Sequence, residues 1–171
     1  MMDKRLFALA PVALVAAACA GSLPPESKAA EVERVQCGDQ TAAADDLRVL
    51  TNAKVIDARP LYSHVITGDN GLEARVDGTK LVIRPPEGVS PERMTRILQC
   101  HSARALLGQI DRSQLPDDPF WLPDTWVSIE VKPENGNYAV TLEANDIPTN
   151  LKLAARAKAF ADAHPLSSSV Q

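Results

Sequence analysis

Three histidines and three cysteines carry most of the reactive chemistry available to this chain of 171 residues. His101 has the most informative setting. Met94, Ile97, Leu98 and Ala105 fall on one face at about 100° per residue, and His101 lies between Ile97 and Leu98 on one side and Ala105 on the other. An imidazole buried in that stripe needs a hydrogen-bond partner, because leaving it without one costs about 1–3 kcal/mol. Two chemistries remain open for it. It is a packing histidine bonded to a backbone carbonyl or a neighbouring hydroxyl, or it is a metal ligand or site residue at the floor of a pocket, with His64 as second donor. Cys100 stands next to it, yet adjacent helical side chains project apart, so both cannot grip one ion. Structural zinc calls for about four ligands at short spacings, and beyond residue 19 only Cys37, His64 and His164 remain. No metal centre and no cofactor is expected from these spacings.

Catalytic patterns are missing from the sequence. It contains no G-x-S-x-G, H-E-x-x-H or S-x-x-K and no phosphate-cradling glycine loop. Asp45-Asp46 and Asp117-Asp118 are paired carboxylates, but neighbours of this kind read as solvated turns or caps. Tyr62-Ser63-His64 reads as a strand edge rather than a hydroxyl beside its base. The expectation is a protein that is not an enzyme. Phe120, Trp121 and Trp126 lie within seven positions of one another among prolines. They could form an exposed partner-contact patch, as Trp does at interface hot spots, or a loop folded over the end of a sheet.

The elements that must position these residues follow from periodicity. Thr41 to Leu50 is an alanine-rich candidate helix, and Lys54 to Ala58 a short strand closed by Pro60. Leu72, Ala74 and Val76 alternate with charged residues, and Leu81 and Ile83 resume the pattern after Asp77-Gly78, which predicts a hairpin over 72–84 with a tight turn at Asp77-Gly78. Ser90 and Pro91 open a helix that Gly108 closes. Val127, Ile129 and Val131, then Asn135-Gly136, then Tyr138, Val140 and Leu142 predict a second hairpin, and Asp146 caps a last helix that stops at Pro165. The order hairpin, helix, hairpin, helix predicts an α+β two-layer domain, an antiparallel sheet with both helices packed on one face. Its limits are 31–165, followed by a disordered tail over 166–171. With 45% hydrophobic residues the chain is not wholly disordered, and 18 basic against 22 acidic residues leave no footprint for nucleic acid.

The first nineteen residues point to export. Lys4 and Arg5 precede an apolar run from Leu6 to Ala18, too short to span a bilayer and of the size of a secretory signal. Ala16-Ala17-Ala18-Cys19 resembles the lipobox of bacterial lipoproteins, although Ala16 stands where leucine is commonest. The resemblance implies a signal peptide over 1–18 and a Cys19 that is lipidated and becomes the mature N-terminus, holding the protein to a membrane that faces the periplasm. Ala20 in place of aspartate favours the outer membrane in a cell with two. Residues 19–30 then read as the lipidated cysteine and a flexible spacer. With Cys19 lipidated, Cys37 and Cys100 are left in an oxidising compartment, where an even pair bridges. YSHVITGDN over residues 62–70 and the Cys100-His101 pair also resemble uncharacterised exported proteins of proteobacteria, a likeness that implies no activity. The functional expectation is a lipid-anchored envelope protein acting as a non-catalytic binding or accessory module for an envelope partner. The alternative is a metal- or redox-responsive periplasmic lipoprotein using His101 with His64 or Cys37 and Cys100.

Overall fold

A computed structural model describes residues 23–166 apart from 39, 68–70, 112, 114 and 116. Residues 1–18, expected to be a signal peptide, and Cys19 lie outside the described residues, as do the positions beyond Leu166. In chain order the elements are α1 (Pro25–Gln36), α2 (Gln40–Thr51), β1 (Val55–Thr67), β2 (Gly71–Ile83), α3 (Pro91–Leu106), β3 (Ser128–Glu134), β4 (Asn137–Glu143) and α4 (Ile147–Ala163). The four strands form one antiparallel sheet in the order β1-β2-β4-β3, so the two hairpins join through β2 and β4. This is the expected α+β architecture, with α4 packed on β1 and β2 and α3 packed on β3. No helix among the described residues is long and apolar enough to cross a membrane.

Strand alternation decides which face is covered. Across the β2–β4 pair Leu81 lies opposite Val140 and Ile83 opposite Tyr138, and across β3–β4 Val131 lies opposite Val140 and Ile129 opposite Leu142. All are buried and point to one side, where they meet Met94, Ile97 and Leu98 of α3 and Leu153, Ala157 and Phe160 of α4. The helix ends form as their sequences require. Ser90 Oγ accepts from the Arg93 N–H at 3.2 Å, and Asp146 Oδ1 accepts from the Thr149 N–H at 2.9 Å. Asn135 and Gly136 both take positive φ, 51° and 76°, as a two-residue turn demands.

Three expectations need correction. The first hairpin is not closed at Asp77-Gly78; it runs from Val55 to Ile83, with residues 68–70 between its strands. Leu61 pairs with Gly78 and Tyr62 with Val76, leaving Asp77 as the extra residue of a bulge. A Cβ on Gly78 would lie 2.6 Å from the Leu142 carbonyl oxygen, so glycine is needed for the close approach of β4 and not for a turn. Pro60 does not end β1, because β1 is an edge strand and its outer side asks for no ladder donor there. The spacer expected to reach residue 30 is helical from Pro25, so the folded part begins there and not at 31. Pro25 at the first helical position, Glu26 in the first turn and Arg34 in the last suit a helix, while the weak apolar patterning of PESKAAEVERVQ hid it.

Candidate functional site

The apolar stripe of α3 carries His101 into the interior, where the 107–127 loop brings Asp118 to meet it. His101 Nε2 and Asp118 Oδ2 are 2.5 Å apart, and each side chain is 5% exposed. Asp118 Oδ1 accepts from the Phe120 N–H at 2.8 Å. Arg156 of α4 adds a second latch: its Nη1 donates to the carbonyls of Asp118 and Trp121 at 3.3 and 3.1 Å, and its guanidinium lies 5.7 Å from the Trp121 ring centroid. The loop is thus tied to both core helices through one buried carboxyl and one arginine.

On its other side His101 lines a cavity of about 350 Å³ between α2 and the end of α3, together with Ala43, Asp46, Leu47, Arg104 and Ile110. Arg104 is buried and donates from Nη2 to the Gly38 carbonyl at 2.6 Å, while its Nη1 lies 3.7 Å from Asp46 Oδ2. Burial pushes the Asp46 carboxyl above the ordinary aspartate value, and the positive charges of Arg104, Arg96 and Arg93 oppose that rise. The cavity therefore offers an imidazole edge, a guanidinium and a carboxyl in a partly desolvated setting, which suits a small polar ligand. Among the described residues the recorded side-chain partner of His101 is Asp118. Ser102 Oγ is buried with no hydrogen-bond partner among the described residues, but it projects about 100° away from His101 around α3.

The other site expectations divide. Cys37 and Cys100 are joined in a disulfide, with Cα atoms 5.5 Å apart, which fastens the end of α1 to α3. His64 stands exposed on β1 opposite Ala74, whereas His101 is buried on α3, so the structure does not pair them. Among the described residues no group of three or more His, Cys, Asp or Glu side chains could hold a metal ion. The contact patch at Phe120 and Trp121 is a correction. Phe120 is 1% and Trp121 8% exposed, and Phe120 meets Phe160 edge-to-face at 5.5 Å, because the loop folds over the core. Trp126 is half-buried and borders a shallow hollow beside Lys28, Val32 and Val35 of α1.

Sequence reasoning missed Asp46, Arg104, Asp118 and Arg156 as members of this network. Asp117-Asp118 was visible as a carboxylate pair, but only Asp117 is exposed, and its positive φ of 55° turns the chain so that Asp118 points inward. Some exposed apolar side chains lie together elsewhere. Beyond the reach of β4 the first hairpin continues as a two-stranded ribbon on which Tyr62, Val65 and Leu72 are exposed. Comparison with protein-family models, with curated proteins and with solved structures finds no match to this chain.

Proposed function

We propose that this chain is an exported lipoprotein, tethered through a lipidated Cys19, whose α+β domain serves as a non-catalytic binding or accessory module in the cell envelope. The observation that carries this reading is the Cys37–Cys100 bridge, since such bonds persist in oxidising compartments and are rare where cytosolic thiols are kept reduced. It agrees with the charged, apolar and small-residue order of residues 4 to 19. Two features support binding over catalysis. His101 Nε2 and both carboxylate oxygens of Asp118 are engaged in holding the 107–127 loop, and the open edge of β1 with the Tyr62 and Leu72 ribbon offers backbone and apolar surface to an envelope partner.

The test is maturation and fractionation of a Cys19→Ser variant in the native cell. The expected result is a precursor that keeps its signal segment, takes up no labelled fatty acid and leaves the lipid-modified membrane pool. Normal maturation of the variant with unchanged membrane partition overturns the tether.

A further inference from the structure

We propose that the Cys37–Cys100 bridge is a clasp whose reduction by a dithiol releases α1 from the folded body without unfolding that body. Four observations carry it. First, α1 contributes no residue to the hydrophobic core cluster; Ala29 is its one buried side chain, and Val35 is 61% exposed. A helix of twelve residues with so little apolar cover is marginal in water once it is not held. Second, the largest fully buried side chains, among them Leu50, Met94, Leu98, Leu142 and Phe160, come from α2, α3, α4 and the sheet, while α1 packs against α3 and supplies none of them. Third, the chain is pinned just past the bridge: Arg104 holds the Gly38 carbonyl and faces Asp46 of α2. A Cβ at Gly38 would lie 2.9 Å from that of Ala42, so the chain turns tightly into α2 at this point. Release therefore stops at Gly38. Fourth, Cys37 is half-buried while Cys100 is buried, which makes the Cys37 sulfur the one an external thiolate reaches.

The chemistry balances as an exchange. A thiolate of the dithiol attacks Cys37 Sγ, the Cys37–Cys100 bond breaks, and Cys100 leaves as a thiolate that takes up a proton. The second thiol of the dithiol, losing its proton, attacks the dithiol sulfur bonded to Cys37. Cys37 departs as a thiolate and is protonated, and the dithiol ends as its own disulfide. Two electrons and two protons pass to the protein. Where Cys19 is the tether, a consequence that rests on the function proposed above, opening the clasp lengthens the link between lipid and body. Counted at about 3.5 Å per extended residue, the reach from Cys19 to Pro24 is at most roughly 18 Å, and to Gly38 roughly 65 Å.

Hydrogen exchange of the full-length protein, read peptide by peptide before and after dithiothreitol, tests the clasp. Expected is a rise of about tenfold or more in exchange over residues 25–36, with peptides of α3, β4 and α4 changing by less than about threefold. A Cys37→Ser/Cys100→Ser double variant should show the same pattern without reductant. Continued protection of α1 after reduction overturns the proposal, and so does loss of protection throughout the chain, which would make the bridge a staple for the entire fold. Two freely alkylated thiols at Cys37 and Cys100 before any reductant would also end it. Because the readout lies within residues 25–36, it is independent of whether Cys19 carries lipid, so failure of the tether and failure of the clasp are separate results.

Discussion

Asp118 is the residue on which the loop between α3 and β3 depends. One of its oxygens meets His101 and the other meets the Phe120 N–H, while its own carbonyl receives Arg156. Removing the imidazole leaves a buried carboxyl with one partner fewer and a void in the interior, so His101→Ala is expected to cost about 3 kcal/mol. Urea denaturation measures it, and Asp118→Ala should cost a comparable amount. The two losses should fall short of adding in the double variant, because both substitutions remove one contact. A change below about 1 kcal/mol for His101→Ala would show the imidazole contributes little to holding the loop. The helix wheel placed His101 in the interior, which was legible from Ile97, Leu98 and Ala105. Its partner was not legible, since Asp118 lies 17 residues on and reaches it only through the left-handed backbone of Asp117.

Among the elements, α3, α4 and the second hairpin were readable because each carries local chemistry with a single solution: a capping side chain before a proline, or Asn-Gly between alternating runs. The first hairpin was misread because Asp77-Gly78 satisfies two local demands, a tight turn and a bulge, and the choice depends on β4, which lies more than fifty residues downstream. That non-local cause gives a test. In Gly78→Ala the new methyl would meet the Leu142 carbonyl oxygen at 2.6 Å and Glu143 Cγ at 2.9 Å, and the first of these is backbone that cannot swing away. The β2 and β4 backbones must move apart locally, with an expected loss of about 1–3 kcal/mol in a denaturation curve. Gly88, by contrast, has nothing within 4 Å of a Cβ but sits at φ 70°, so Gly88→Ala reports the backbone cost alone, about 1 kcal/mol. Equal losses at the two sites would show that close approach is not what selects glycine at residue 78. The polar composition of α1 gave no periodic signal, and Cys37 fastens it to α3 by a covalent constraint that no hydropathy pattern records.

At the scale of the whole molecule, charge decides what kind of membrane attachment the proposed tether can be. Cleavage before Cys19 would remove Asp3, Lys4 and Arg5 and leave 16 basic and 21 acidic residues, a formal charge of −5. A body of that sign gains nothing from an anionic lipid surface, where a cluster of lysines or arginines would add about 1 kcal/mol per residue. The first hairpin supplies no such cluster either, since Arg75 pairs with Asp77 and Arg59 with Asp57. Attachment must then come from acyl chains alone, at about 0.8 kcal/mol for each buried methylene, a hydrophobic term that salt does not screen. Washing native membranes with molar salt should leave the protein in the pellet, and a mild detergent should release it. Vesicle binding by the purified mature protein should be indifferent to the fraction of anionic lipid. Release by salt, or binding that rises with anionic lipid, would mean that charged side chains carry the attachment and that the body itself, rather than its first residue, makes the contact.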